Sequence, residues 1–517
     1  MKRIIAILLC AVLGLSLLSG CDTGENPYVP TGNGLGGEIP TEPNQSVDTE
    51  NSFSLPYTAE GGFNPFSCTD ETNRVLFSLI YQGLFVVNDA YEPRPILCDT
   101  YNISADMKTY TSHIATAYFS DGSRVTASDV QASLQTAQTS AYYSGRLQHV
   151  TEIQAYGTTV VMELDTPMDN LPILLDIPVV KAREVEADAP LGTGPYLLDQ
   201  TSQGIWLRRQ AGWWCHANIP VNTDHISLVE KNSPTAIRDA FEFDQINLSL
   251  AVPGSTNYVD YHSDYELWDT ENGQFLYLVS NAKSKILNTP EILSALSCAI
   301  NREQLSNQFY HGFALPTALP VSPESPWYTE SLAKDYAYDP SKLTEAVSAL
   351  PEESRTITLL LCSNDYMRVK VGRAIAEMLE ECGFTVNISI VTAENFTNQL
   401  RWGTYDLYLG QTKLSANMDL SAFFSSSGAL SYGGLSSISL YTLCTESLAN
   451  HGNFYTLHQN VMNEGMLCPI LVRSYAIYAT RGLLTSLTPA RDNVFYYSMG
   501  KSMDNAIIKN NQPNAPA

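Results

Sequence analysis

Three short polar clusters, each directly behind an apolar run, hold the groups best placed to grip a ligand. They are Ser363-Asn364 behind residues 356–361, Thr392-Ala393 behind 385–390, and Gly410-Gln411-Thr412-Lys413 behind 405–409. Together they offer hydroxyls, amides and one cation, which suits hydrogen-bonded recognition better than bond cleavage. Residue patterns for catalysis are missing: the sequence has no HExxH, GxSxG, Walker loop or CxxC. The eight histidines are scattered, and His451 and His458, seven apart in a helical stretch, have no third ligand nearby. Glu352-Glu353 and Glu380-Glu381 sit near element ends, where solvated charge belongs. No metal and no cofactor is expected.

The elements behind these clusters follow from periodicity. Residues 356–361 read as an apolar strand. Residues 365–382 place Met367, Val371, Ala374, Ile375, Met378 and Leu379 on one helical face, and Gly383 ends the helix. A strand at 385–390, a helix at 394–402 and a strand at 405–409 complete a βαβαβ unit, hence a parallel sheet with right-handed crossovers. Ligands of such sheets sit at the carboxyl ends of the strands, which is where the three clusters lie.

The 517 residues are too many for one ordinary domain, and 44% hydrophobic content supplies a large core. A net charge of −25 argues against binding nucleic acid through charge. Lys2 and Arg3 precede an uncharged, largely apolar run to Gly20. Leu18-Ser19-Gly20-Cys21 then reads as a lipobox, with cleavage before Cys21 and a diacylglycerol on its sulfur. Residues 21–51 are rich in Gly, Pro, Thr and acids and form a tether. The formal GxGxxG at Gly32 to Gly37 has neither the strand before it nor the helix after it that dinucleotide binding needs. Eight cysteines follow Cys21, at 68, 98, 215, 298, 362, 382, 444 and 468. Disulfides and unpaired buried thiols both fit that count in an exported chain. Cys362 and Cys382 end a strand and its following helix, roughly 25 Å apart, beyond the ~7 Å Cα limit for a bridge.

The N-terminal half carries an ordered set of turns. A helix capped by Thr69 or Asp70 runs toward Gly83, and a strand follows at 84–87. A hairpin turns at Asp106-Met107-Lys108, and a second turn at Ser120-Asp121-Gly122-Ser123 leads into a helix capped by Thr126 or Ser128. Thr151 to Leu164 alternates like a hairpin arm. Taken in order, Tyr81-Gln82-Gly83-Leu84, Asp106 to Thr111 and Phe119 to Val130 resemble the "yeGL", "DGktYTF" and "FsDGtplTAeDV" pieces of family 5 extracellular solute-binding proteins. Leu191-Gly192-Thr193-Gly194-Pro195-Tyr196 matches that family's "GTGPY", where two glycines and a proline suit a tight bend. Asn64-Pro65-Phe66, Trp213-Trp214, Ala299 to Glu303 and Gly312 to Pro316 add weaker matches, and the likeness extends roughly over residues 52–500.

The resemblance implies an α/β, two-lobe fold of the periplasmic-binding-protein type II-like kind, with a small extra domain inserted in lobe I. The implied boundaries are a signal peptide at 1–20, a tether at 21–51, lobe I at 52–86, 187–270 and 467–517, the insert at 87–186, and lobe II at 271–466. It implies a monomeric, lipid-anchored binding component of an ABC importer outside the cell membrane. That component passes a peptide or other small solute to permease and ATPase subunits. A sensory or adhesive lipoprotein with the same fold is the alternative, and a surface hydrolase on another fold a third. The family's ligand loop falls on Gln411, Thr412, Lys413, Leu414, Ser415, Ala416 and Asn417, with Ser67, Cys68 and Thr69 implied across the cleft. Peptide-binding relatives place an aspartate where Ser415 or Ala416 stands here. Lys413 and a solute acceptor group are therefore expected to replace capture of a free amine, and Asp419 stands further along.

Overall fold

Two strands, Tyr265–Ser280 and Leu467–Thr480, run antiparallel from the Tyr265↔Thr480 pair to the Val279↔Leu467 pair. The computed structural model describes residues 52–202, 204–217, 221, 223–251, 265–481, 490, 491 and 493–495. The lipobox with Cys21, the tether and the Gly32–Gly37 stretch lie outside the described residues.

In chain order, β1 (Ser52–Tyr57) is followed by α1 (Glu71–Ile80), capped by the Asp70 carboxylate on the Asn73 N–H. The helix ends short of Gly83 because Gln82 turns out to form a β-bridge with Val179. β2 (Phe85–Val87) and β3 (Pro93–Pro95) pair as a short ribbon. β4 (Cys98–Ile103), β5 (Thr109–Ile114), β6 (Val150–Tyr156) and β7 (Thr159–Leu164) form an antiparallel sheet in the order β4-β5-β7-β6. Alternate residues of β5 and β7 are buried, as in a sheet with one wet face. α2 (Ala127–Ala137) packs on this sheet; Thr126 and Asp129 cap it reciprocally, so Thr126 rather than Ser128 is the cap. β8 (Tyr196–Thr201), β9 (Gly204–Arg209) and β10 (His225–Glu230) join β1 in the order β1-β10-β9-β8.

α3 (Pro234–Glu242) and β11 (Leu248–Ala251) lead to the first long strand, β12 (Tyr265–Ser280). Beyond it come α4 (Pro290–Leu296), α5 (Arg302–Tyr310), β13 (Ala314–Pro316), α6 (Glu330–Lys334) and α7 (Pro340–Ser348). The βαβαβ unit is β14 (Thr356–Cys362), α8 (Tyr366–Glu381), β15 (Thr385–Val391), α9 (Ala393–Trp402) and β16 (Leu407–Lys413). α10 (Ser421–Phe424), α11 (Ile438–Ala449) and α12 (Phe454–Glu464) carry the chain to the second long strand, β17 (Leu467–Thr480).

These strands form one sheet in the order β11-β17-β12-β16-β14-β15, with β13 on β17, and β14 runs parallel to both β15 and β16 as the periodicity requires. β11 joins the long pair at residues 476–479, whereas β16 joins it at 274–280. Both faces are covered: Leu359, Leu361, Leu407 and Leu409 enter one apolar core, and Leu360, Tyr408 and Tyr277 the other. That double burial explains why β14 reads as an unbroken apolar run. One boundary differs from expectation. Gly410 to Lys413 are not loop but the last residues of β16, because β12 keeps pairing with them as far as Gln274↔Lys413. The eight described cysteines are free and buried, Cys362 and Cys382 among them.

Candidate functional site

The turns singled out by the sequence converge on the end of α1. The Gly194 N–H donates to the Ile80 carbonyl at 2.8 Å, and a Cβ on Gly192 would lie 2.1 Å from that carbonyl oxygen. Neither glycine has a positive φ. Close approach to a helix end therefore requires them, not the tight bend expected from the sequence. Trp213 reaches under the turn, its indole N–H donating to the Thr193 carbonyl. Asp129 of α2 accepts the Ala182 N–H at 2.8 Å, which fixes the neighbouring chain.

This packing holds α1 as one wall of a cavity of about 100 Å³, lined by Arg74, Phe77, Ser78, Gln82, Tyr142, Tyr143, Arg146, Asp176 and Asn493 among others. Arg74 projects from α1 and donates to the Cys68 carbonyl at 2.9 Å and the Tyr143 hydroxyl at 2.8 Å. Its guanidinium carbon sits 3.2 Å from the centroid of the Tyr142 ring, a cation–π contact. Arg146 is ion-paired with Asp176. The Lys413 ammonium donates to the phenol oxygen of the same Tyr142 at 2.8 Å. One tyrosine thus joins a cation from α1 to a cation from β16.

The residues expected to bind fall as follows. Ser67 and Thr69 are exposed, and Ser67 lines a separate cavity of about 870 Å³ with Glu60 and Asp188. Cys68 is buried, and burial raises its thiol pKa. No hydrogen bond or ion pair among the described residues joins 67–69 directly to 411–417. The link runs from the Cys68 carbonyl through Arg74 and Tyr142 to Lys413. Gln411 meets Gln274 and Arg473, and Thr412 is half-buried on β16. The Leu414 N–H donates to the Gly273 carbonyl, and its own carbonyl accepts from Arg491. Ser415 donates to Asn417 at 2.6 Å, Ala416 is buried, and the Asn417 amide reaches the Met168 sulfur. Sequence reasoning missed Arg74, Tyr142, Ser78 and Gln82. The one available signal was that Arg74 is the first cation after Arg3.

Two further polar clusters tie the same elements together. His149, just before β6, holds Asp165 on Nδ1 and Asp419 on Nε2, each at 3.0 Å. Both partners are acceptors, so the arrangement is complete when each ring nitrogen carries a proton. Burial alone lowers the His149 pKa, but the two carboxylates outweigh it and the net shift is upward; burial likewise raises Asp419, and His149 outweighs that to bring it down. The second cluster sits where the β12–β17 register slips between Glu271 and Phe275. There Glu271 accepts from Tyr91 at 2.7 Å and from Ser322, and lies 3.6 Å from Arg491. His451 pairs with Asp169, whereas burial drives the His458 pKa down to about 3, so that ring is neutral.

A profile of the family described as bacterial extracellular solute-binding proteins, family 5 (middle), matches residues 92–431. The chain belongs to that family. As a family 5 solute-binding protein it is the substrate-binding component of an ABC importer, not an enzyme. It is similar to the glutathione-binding protein GsiB of Escherichia coli K12, 25% identical over 351 residues that cover 64% of this chain and 67% of that one. The ABC transporter substrate-binding protein CtaP of Listeria monocytogenes superposes with a TM-score of 0.70 at 19% identity, over 86% of this chain and 97% of that one. NikA of Brucella suis, solved with Fe(III)-EDTA, gives 0.70 at 16% identity over 85% and 98%. The solute-binding protein accordingly has the two-lobe, type II periplasmic-binding-protein fold. No described helix is long and apolar enough to cross a membrane.

Proposed function

We propose that this solute-binding protein is held by lipid on Cys21 at the outer face of the cytoplasmic membrane. As a monomer it captures a peptide or similar small solute between its lobes and delivers it to the permease served by the transporter's ATPase. In this reading residues 52–86, 187–270 and 467–517 form lobe I, 87–186 an insert in it and 271–466 lobe II, with β12 and β17 crossing between them. The observation that carries the reading is the Lys413–Tyr142 hydrogen bond, which spans from lobe II to the insert beside the Arg74 cavity. Such a contact opens and closes with the lobes.

The family's amine-binding aspartate has no counterpart here. Ser415 is turned onto Asn417, Ala416 has no polar side chain, and Asp419 is taken by His149, Gln148 and Ser421. Free-amine capture is thereby disfavoured, since a buried ammonium without a counter-charge costs several kcal/mol. Glutathione, named for the GsiB relative, is the first solute to try, because its free ammonium carries its own α-carboxylate beside it as counter-charge. The test is native mass spectrometry of protein purified from rich medium, where a bound solute adds mass to the chain. A bare chain from every medium, with no thermal shift on adding medium extract or glutathione, would remove the proposal. For the anchor, Cys21→Ser should abolish incorporation of labelled fatty acid, and retained label would contradict it.

A further inference from the structure

Arg74 is a permanently charged group whose described contacts are two carbonyls, a phenol hydroxyl and aromatic rings, with no carboxylate among them. Proteins seldom leave a largely enclosed guanidinium without an anion. Two neighbours in the same cavity wall are also incomplete. Gln82 is only 3% exposed; its side-chain oxygen is fixed by the donor-only Trp214 indole, which leaves its amide nitrogen with no partner. The Ser78 hydroxyl, one helical turn beyond Arg74 on α1, is buried and without a partner as well. Both line the Arg74 cavity, which is roomy enough for several water molecules. A cation and two buried hydrogen-bond donors therefore converge on one space, and Arg146, the other guanidinium there, is paired with Asp176.

We propose that this cavity is an anion subsite of the solute cleft. It takes a carboxylate of the captured solute on Arg74, with the Gln82 amide N–H and the Ser78 hydroxyl as further donors. The assignment rests on the solute-receptor reading above and adds the substrate class: an acid, gripped at its anionic end on α1, with Tyr142 and Lys413 closing over it.

The test uses full-length protein stripped of solute by unfolding and refolding, with two probes: the solute extracted from the wild-type protein, and that solute after methyl esterification. For wild type, esterification should weaken binding at least thirtyfold, about 2 kcal/mol. Arg74→Gln should weaken the acid by a similar factor while leaving the ester nearly unchanged. Ser78→Ala, a milder change on an intact helix, should weaken the acid about fivefold. A neutral solute, or an ester that binds within threefold of the acid, would overturn the subsite and leave the receptor reading standing. Absence of any extractable solute, with no thermal shift on adding medium extract or glutathione, would overturn both. Inorganic phosphate provides the remaining arm: if it stabilises stripped wild type but not Arg74→Gln, and does not compete with the solute, the cavity holds a free anion and the assignment to the solute falls.

Discussion

At the scale of single residues, the proposed recognition rests on the polar groups around Tyr142. Lys413→Ala removes one hydrogen bond and one cation–π contact to that ring. It should weaken the native solute about tenfold, or 1.4 kcal/mol, in calorimetric titration; unchanged affinity would place Lys413 outside recognition. Gly192→Ala tests the packing beneath. Its Cβ would meet the backbone oxygen of Ile80, which cannot move without disturbing α1, so thermal melts should show a loss on the order of 3 kcal/mol. Lys413 stood out in the sequence as the one cation in a cluster just beyond the carboxyl end of a parallel strand read as 405–409. Arg74 and Tyr142 were not. Their contact depends on how the irregular segment after α2 folds back onto α1, and no periodicity encodes that path. The two glycines were noticed, but their reason was not, since a clash with a residue more than a hundred positions away leaves no local trace.

At the scale of elements, the βαβαβ unit could be read almost whole, because amphipathic α8 and the unbroken apolar β14 leave little ambiguity of period. The end of β16 could not, since its polar residues are kept in the strand by β12, far away in sequence. Nor could the His149–Asp419 pair, which joins β6 to the segment after β16. Its pH dependence follows from the two shifts. His149 is raised above 6.5, so its contribution is complete below that value and is lost as pH rises through the raised pKa. Asp419 is lowered below 3.8, so its contribution is present above that value and is lost as pH falls through the depressed pKa. The pair is therefore intact between those limits. His149→Gln should cost about 3 kcal/mol at mildly acidic pH. The deficit should shrink as pH climbs past the His149 pKa in urea titrations; a deficit constant with pH would show that the ring acts by packing alone.

At the scale of the whole molecule, β12 and β17 are the longest described strands of the sheet, β17 carrying β11 and β12 carrying β16, and their register slip is pinned by Glu271 and Arg491, 2% and 5% exposed. Glu271→Ala would deprive Arg491 of that counter-charge and leave Tyr91 and Ser322 without their acceptor. A loss of about 3 kcal/mol or more is expected in chemical denaturation. The family resemblance made the two-lobe plan legible, whereas this buried pair at the β12–β17 register slip was invisible in a sequence where Glu271 and Arg491 stand far apart. The central claim, that the lobes close on a solute, is tested most directly by small-angle scattering of the stripped protein with and without the solute extracted from it. The radius of gyration should fall on binding, with the molecular mass unchanged. Binding that leaves the scattering profile of an open apo form unaltered would contradict the account.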